Sequence, residues 1–220
     1  MKAGIQAKLD FTIFILQYNF FNSSRNPYLQ LPIPHSNRFF MNITTSKFLI
    51  LMRHAKSSWA VEGMDDHERP LNDRGRRTAP MMAAWFAEHG LVPDAVLCST
   101  AVRTQQTLAL LTEAWNARGE SQYTRQDCSE LYLASPNAIL SCLGQRCDTD
   151  PLPSKVLILG HNPGSELLAS MLCGQAITMA TAECVVFEID SKQQPNWTLD
   201  LKAGGISKIY QVAPKTLHAA

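Results

Sequence analysis

The chain has 220 residues, of which 45% are hydrophobic and 18% are charged. This composition is that of a globular protein and excludes a mainly disordered chain, and the length suits one sizeable domain with an extension better than two full domains. Lys and Arg together number 20 against 19 Asp and Glu, which gives a net charge of +1. A charge so close to neutral argues against a surface devoted to nucleic acid, so we expect no nucleic-acid partner.

The first 45 residues differ in composition from the rest of the chain. Up to residue 40 they contain four Lys or Arg residues and one acid, Asp10. The apolar stretch Leu9–Phe21 is interrupted by polar residues and is shorter than the roughly 20 residues that span a bilayer, so we expect no membrane partner. We predict a disordered extension over 1–45 and a cytoplasmic protein. Three alternatives remain open: translation begins at Met41, residues 1–40 direct import into an organelle, or they form an ordered arm.

From Lys47 onwards, short apolar strands alternate with helices that begin at recognisable caps. The strands are predicted at Lys47–Met52, Asp94–Cys98, Ser121–Asp127, Lys155–Leu159, Glu183–Ile189 and Trp197–Lys202. Helices are predicted to begin at Asn72-Asp73, Ser99-Thr100, Ser135-Pro136 and Asn162-Pro163. In the last helix the spacing predicts an apolar face of Leu167, Leu168, Met171 and Leu172. The alternation predicts an α/β fold over residues 46–213: a three-layer sandwich with a mostly parallel central sheet and helices on both faces.

Basic side chains follow three of the predicted strands, at the sheet edge where ligands gather in such folds. Arg53 and His54 follow the first strand, Arg103 follows the second, and His161 and Asn162 follow the fourth. Guanidinium groups can each bind two oxygens of a phosphate, a neutral imidazole can attack phosphorus, and a protonated one can stabilise the developing charge. The recurrence of this chemistry at three strand ends raises the case for a phosphate site, but the residues alone leave surface pairs and a capping or core histidine as the alternative interpretation.

The same segments resemble the signature motifs of the histidine phosphatase superfamily, the phosphoglycerate mutase-like proteins. They follow the family's order between residues 46 and 190, and the chain is most similar to the short SixA-type branch of phosphohistidine phosphatases. The matching segments are LMRHAKSSW (Leu51–Trp59), RPLNDRG (Arg69–Gly75), STAVRT (Ser99–Thr104) and LGHNPG (Leu159–Gly164).

This resemblance implies a phosphoglycerate mutase-like fold and a metal-independent phosphatase in which His54 becomes phosphohistidine. Arg53, Arg103 and His161 would complete the phosphate pocket, with Asn162 as a further substrate-binding residue, and no metal or other cofactor is expected. The favoured substrate is phosphohistidine on another protein, because the branch lacks the insertions that shape sugar-phosphate pockets. The alternatives are a small phosphomonoester or phosphoanhydride hydrolase on the same pocket, or a phosphate-binding module without catalysis.

The chain departs from the family pattern at two positions. Ala55 replaces the usual glycine after the histidine, and alanine requires an ordinary backbone conformation. Because the residue at this position is still small, we expect the turn to survive. Larger family members use a carboxylate as general acid, and Glu130 is the best positional match for it. The alternative for Glu130 is an acid in a solvated loop.

Two other groups of residues suggest different chemistry. The run Asp65–Glu68 has metal-binding side chains, but four consecutive residues in a polar loop cannot all face one ion, so we expect a solvated loop. Cys98 and Arg103 are five residues apart, as are the nucleophilic cysteine and the arginine of cysteine phosphatases. However, Cys98 continues an apolar strand, and the loop between Cys98 and Arg103 contains no glycine. The six cysteines include no C-x-x-C pair, and we expect reduced thiols that pack in the core.

Overall fold

The computed structural model describes residues 47–60, 62–120, 122–198, 201 and 205–217. The predicted extension, residues 1–45, lies outside the described residues. Within the described ranges, the strands are Lys47–Arg53 (β1), Ala95–Ser99 (β2), Thr124–Cys128 (β3), Lys155–Gly160 (β4), Cys184–Ile189 (β5) and Ile206–Val212 (β6). The α-helices are Asp73–Glu88 (α1), Val102–Asn116 (α2), Pro136–Arg146 (α3) and Gly164–Cys173 (α4). No helix in this part of the chain has the length and apolar character needed to cross a membrane.

The six strands form one sheet in the order β3-β2-β4-β1-β5-β6. The first four strands of this order are mutually parallel. Strand β5 pairs antiparallel with β1, and β6 pairs antiparallel with β5 at the edge of the sheet. Arg53 at the end of β1 pairs with Gly160 at the end of β4, and Cys98 near the end of β2 pairs with Leu159 of β4. The carboxyl ends of β1, β2 and β4 are therefore level with one another, which brings the segments that follow them to one edge.

Helices cover both faces of the sheet, which confirms the predicted three-layer sandwich. One apolar cluster joins β1 to α1 and α2 through Ile50, Met52 and the fully buried Trp115. The other cluster joins the opposite face of β1, through Leu49 and Leu51, to α3 and α4. Successive strand residues point to opposite faces, so a strand with a helix layer on each side is apolar at every position. This explains why β1 is a continuous apolar run.

The predicted strand Trp197–Lys202 is wrong in its described part, because Trp197 and Thr198 lie in a turn. Trp197 is fully buried in the α3 and α4 cluster, so its apolar character serves core packing and not a strand. The last strand is instead β6, an edge strand that carries exposed polar residues such as Ser207 and Gln211. A half-exposed edge strand lacks the apolar run by which the central strands are found.

The buried face of α4 is narrower than the sequence predicted. Leu168 and Leu172 are buried, but Leu167 and Met171 are 50% and 55% exposed. These two side chains lie on the side of the helix that is turned away from the sheet, since residues four apart share one face.

Two of the four predicted caps are confirmed, and two are not. Asn72 accepts a hydrogen bond from the Gly75 N–H and Ser135 accepts one from the Ala138 N–H, at 3.0 and 3.3 Å. Helices α2 and α4 begin instead after Ala101 and Pro163, without a side-chain cap. The polar residues expected to cap them hydrogen-bond to groups around the site described below.

Gly75, in the first turn of α1, lies against the backbone of Lys56, whose carbonyl also accepts the Asn72 N–H at 3.0 Å. A Cβ atom on Gly75 would collide with the Lys56 carbonyl oxygen, and backbone cannot yield as the end of a side chain can. We expect Gly75→Ala to lower the free energy of unfolding by about 2 kcal/mol, as overpacking does. Urea denaturation followed by circular dichroism measures this change.

The matched control is Arg74→Ala on the exposed side of the same helix turn. It should change the free energy of unfolding by no more than about 0.5 kcal/mol. Equal stability of Gly75→Ala and the unaltered protein would contradict the close packing of α1 on the turn after β1.

Candidate active site

The three strand ends bring two histidines and Arg103 into direct contact. The rings of His54 and His161 have their centroids 5.1 Å apart. The guanidinium of Arg103 lies between them: its Nε donates to His54 Nε2 and its Nη2 to His161 Nδ1, both at 3.3 Å. All three side chains are buried. They line a cavity of about 200 Å³, which is also lined by Arg53, Lys56, Ser57, Trp59, Asp66, Arg69, Leu133, Asn162 and Thr181.

The hydrogen bonds of His54 determine which of its nitrogens can act as a nucleophile. Nδ1 lies 2.7 Å from the Ala55 carbonyl oxygen, which can only accept, so Nδ1 carries the proton. Nε2 therefore has the lone pair and faces Arg103. Burial, with help from the charges of Arg103, Arg53 and Arg69, outweighs the Ala55 hydrogen bond and lowers the pKa of His54 to about 4. The ring is thus neutral and nucleophilic at neutral pH.

His161 is also neutral in this arrangement. Its Nε2 lies 2.8 Å from the Ser99 hydroxyl, and its Nδ1 accepts from Arg103. Burial, together with His54 and Arg103, lowers the pKa of His161 to about 3. The protonated His161 expected from the sequence therefore requires the negative charge of a substrate, because a nearby anion favours the charged ring. Ser99, predicted to cap α2, orients this imidazole instead.

Arg53 and Asn162 are held at the other side of the cavity by one carbonyl group. Arg53 Nη1 and Asn162 Nδ2 donate to the Met179 carbonyl oxygen at 2.8 and 3.0 Å. Arg53 Nε and Asn162 Oδ1 are buried and have no hydrogen-bond partner among the described residues. A buried N–H without a partner is costly, and an anion oxygen in this cationic cavity would satisfy it.

The segment that carries this carbonyl is fixed by two carboxylates. Glu166 of α4 accepts from the Met179 N–H, and Glu183 accepts from the Ala180 N–H, each at 2.7 Å. The two acids orient the Met179 carbonyl, and through it the side chain of Arg53.

The run Asp65–Glu68 is a loop with Asp65 and Glu68 exposed, as the sequence predicted, but its Asp66 carboxylate binds residues of the cavity. The Asp66 carboxylate accepts from Arg69 Nη1 at 2.6 Å, from Arg103 Nη2 at 2.8 Å and from the Tyr132 hydroxyl at 2.8 Å. Partial burial opposes ionisation of Asp66, but hydrogen bonds from Tyr132, Arg69 and Arg103 lower its pKa to about 2. Asp66 and Tyr132 were missed because neither belongs to a recognisable motif, whereas Arg69 lies in the RPLNDRG segment.

The structure does not bring Glu130 to the cavity. It lies in a short 3₁₀ helix, Ser129–Leu131, and its carboxylate accepts from Arg146 Nη2 at 2.7 Å. Hydrogen bonds from its own backbone N–H and from Arg146 lower the pKa of Glu130, which keeps it ionised. Within the described ranges, Glu130 also forms a group of closely spaced metal-type donors with Cys128 and Cys142, away from the cavity. The positional match along the sequence did not correspond to a position in the site.

The turn at Ala55 has an ordinary backbone conformation, as expected. Among the described residues, only Leu133 and Ala182 are non-glycine residues with a positive φ, of 48° and 62°. The Ala55 N–H donates to Thr107 Oγ1 at 3.1 Å, so the turn is anchored to α2.

Cys98 has none of the properties of a catalytic thiolate. It is fully buried in β2, and burial, as the main cause, raises the pKa of its thiol to about 12. A thiol in this state is a poor nucleophile at neutral pH, which excludes the cysteine mechanism at this position. The six cysteines are unpaired, in agreement with the reduced thiols expected.

Comparison with known proteins agrees with this geometry. A family model described as the histidine phosphatase superfamily (branch 1) matches residues 49–129. An uncharacterised chloroplastic protein of Arabidopsis thaliana is 29% identical over 178 residues, 76% of this chain and 78% of that protein. Phosphohistidine phosphatase SixA of Escherichia coli is 26% identical over 175 residues, 78% of this chain and 97% of that protein. The crystal structure of a candidate phosphohistidine phosphatase SixA from Agrobacterium tumefaciens has a TM-score of 0.61 at 25% identity, covering 76% of this chain and 98% of that one.

The chain therefore belongs to the histidine phosphatase superfamily, and it is a phosphatase of the histidine type. Within the superfamily it is similar to the SixA-type branch, as its motifs predicted. The structural similarity confirms the phosphoglycerate mutase-like α/β fold.

The two buried imidazoles should titrate far below an ordinary histidine. We expect ¹⁵N NMR of the ring nitrogens to give a pKa of about 4 for His54 and about 3 for His161, from the usual 6.5. The protonated nitrogens should be Nδ1 of His54 and Nε2 of His161. Since unfolded chains bind these protons near pH 6.5, the free energy of unfolding should fall as the pH drops from about 6.5 to 4.

Signals are assigned with His54→Ala and His161→Ala. A pKa near 6.5 for His54 would contradict the burial that keeps its lone pair free.

Proposed function

We propose that the protein is a metal-independent phosphatase that forms phosphohistidine at His54 and removes the phosphoryl group from phosphohistidine on another protein. The observation that carries this proposal is the lone pair of His54 Nε2, which lies beside the Arg103 guanidinium in a cavity lined by three arginines. The name of the Escherichia coli relative, a phosphohistidine phosphatase, supports the substrate class.

In the first step, His54 Nε2 attacks phosphorus and the bond from phosphorus to the substrate nitrogen breaks. The leaving imidazole takes the bonding electron pair and a proton from solvent. Arg103 Nε, which donates to Nε2 in this structure, would donate to a phosphoryl oxygen once substrate is bound. Fixed guanidinium donors supply most of the stabilisation that such a loose transition state needs.

The Ala55 carbonyl has a role in the same step. As Nε2 bonds to phosphorus, the His54 ring gains positive charge, and the Nδ1–H bond to the Ala55 oxygen becomes stronger. The carbonyl therefore stabilises the phosphorylated ring more than the free one, and it keeps Nε2 directed at the substrate.

In the second step, water attacks phospho-His54, the bond from Nε2 to phosphorus breaks, and inorganic phosphate leaves with the water proton. Nε2 recovers its lone pair. A protonated imidazole departs readily, so this route assigns no general acid to Glu130. The cavity carboxylate, Asp66, stays ionised because its pKa is held at about 2, and it acts on the arginines instead.

We propose that arginine charge takes the place of a metal ion. Arg53, Arg69 and Arg103 all line the cavity, and together they can neutralise a phosphoryl group and its transition state. Activity should therefore persist in excess EDTA.

The phosphoenzyme is the direct test of this mechanism. We expect brief reaction with a radiolabelled phosphohistidine protein in EDTA to give an acid-labile label on His54. His54→Ala should reduce turnover by at least about a thousandfold, because no other group in the cavity replaces the nucleophile. Label on another residue, or phosphate binding without turnover, would contradict the mechanism; the second result would indicate a binding module.

Glu130→Gln is the matched control for this experiment. Its carboxylate pairs with Arg146 outside the cavity, so we expect turnover to change by less than about threefold. Comparison of kcat/KM for a phosphohistidine protein with that for glucose 6-phosphate then separates the favoured substrate from a small phosphate ester.

The cytoplasmic location stays a prediction, with organelle import by residues 1–40 as its alternative. The chloroplastic description of the Arabidopsis relative supports the alternative. We expect a fluorescent protein fused to residues 1–45 to remain cytoplasmic in the source cells. A fusion that lacks residues 1–40 and begins at Met41 is the control. Accumulation of the first fusion, but not of the control, in an organelle would contradict this expectation.

A further inference from the structure

The cavity has a buried polar floor and a number of half-exposed polar side chains, and the two exposed residues among those that line it, which we call the rim, are both large and apolar. His54, His161 and Arg103 of the floor are between 3% and 7% exposed. Trp59 and Leu133 of the rim are 74% and 53% exposed, although both are large apolar side chains. Exposed apolar residues at the mouth of a polar cavity are typical of a ligand contact.

The chemistry at the floor determines what reaches this rim. The inference rests on the proposed function, in which His54 Nε2 attacks phosphorus from the floor. In phosphoryl transfer the attacking and leaving atoms lie roughly in line on opposite sides of phosphorus. The leaving group is therefore directed away from His54, towards the mouth of the cavity, where Trp59 and Leu133 lie.

Trp59 is a rigid platform and not a loose surface side chain. The Arg69 guanidinium lies over the indole, with its central carbon 3.1 Å from the ring centroid. Arg69 is itself fixed by Asp66, by the Ser57 hydroxyl at 2.7 Å and by the Ser58 carbonyl at 2.9 Å. An indole held on one face in this way can accept a flat ring on its other face at little conformational cost.

The backbone conformation of Leu133 holds its side chain exposed at the mouth of the cavity. It has a φ of 48°, a conformation that a leucine rarely adopts, and its side chain is largely exposed. Neither feature gains core packing, and residues held in such conformations cluster at ligand sites. Leu133 directly follows Tyr132, whose hydroxyl binds Asp66, so its position is tied to the floor.

We propose that Trp59 and Leu133 bind the ring that carries the phosphoryl group. Trp59 stacks on a planar heteroaromatic or aryl ring, and Leu133 covers an apolar edge of it. The rim thus favours an imidazole or aryl leaving group over a hydroxylated alkyl one, because a flat ring can stack on the indole and an alkyl chain cannot.

The test compares substrates that differ in the leaving group. For Trp59→Ala and for Leu133→Ala, we expect kcat/KM for phenyl phosphate and for phosphoimidazole to fall about tenfold, the size of one ring contact. The kcat/KM for glycerol 3-phosphate and the inhibition constant of inorganic phosphate should stay within about twofold, because neither ligand has a ring. Trp59→Phe should keep most of the preference. Leu167→Ala, which removes an exposed apolar side chain away from the cavity, is the matched control.

Two results would overturn the proposal. Equal losses for ring and glycerol substrates, with weaker inhibition by inorganic phosphate, would show that Trp59 acts through Arg69 on the phosphate pocket. Unchanged kinetics in both variants would show that the rim does not contact the leaving group.

A binding measurement separates this inference from the proposed function. Phenylphosphonate and methylphosphonate are not hydrolysed, so calorimetry gives their Kd without any turnover. We expect phenylphosphonate to bind more tightly, and Trp59→Ala to abolish the difference. If turnover is absent but this preference is found, the mechanism fails and the ring site stands; equal Kd values would refute the ring site even in an active enzyme.

Discussion

The site depends on one buried guanidinium. Arg103 is 3% exposed and donates to His54, to His161 and to the Asp66 carboxylate. Each of these groups comes from a different segment of the chain. A buried cation requires partners around its whole edge, so the guanidinium fixes the relative positions of the two imidazoles and of the loop that carries Asp66.

The elements around the sheet position Arg103 and His54 through backbone contacts and side-chain hydrogen bonds. Thr107 accepts the Ala55 N–H and donates to the Arg103 carbonyl at 2.6 Å, so the turn after β1 and the first turn of α2 share one hydroxyl. The N-terminus of α1 lies against Lys56 at the place where Gly75 has no side chain. The turn that carries His54 is therefore held by two helices on one face of the sheet.

The central strands and the basic residues that meet in the cavity could be predicted because each carries a local signal. A strand covered on both faces is apolar throughout, and Arg53, His54, Arg103 and His161 lie at the end of such strands or within a few residues after it. The edge strand β6 carries no such signal, since half of it faces solvent. Asp66 could not be found in this way, because its role depends on arginines that lie 3 and 37 residues further along the chain. Glu130 shows the converse. Its position along the sequence matched that of the family's general acid, but its carboxylate pairs with Arg146 of α3, outside the cavity.

Asp66 also has a consequence for the end of the catalytic cycle. It is an internal anion that binds Arg69 and Arg103, the guanidinium groups that a phosphoryl group would bind. Inorganic phosphate must compete with this carboxylate, which is tethered and so present at a high local concentration. A substrate gains further contacts through the group attached to its phosphorus, whereas the free ion has none. In the proposed mechanism, the Asp66 carboxylate therefore favours release of inorganic phosphate, because it takes the place of the product on Arg69 and Arg103.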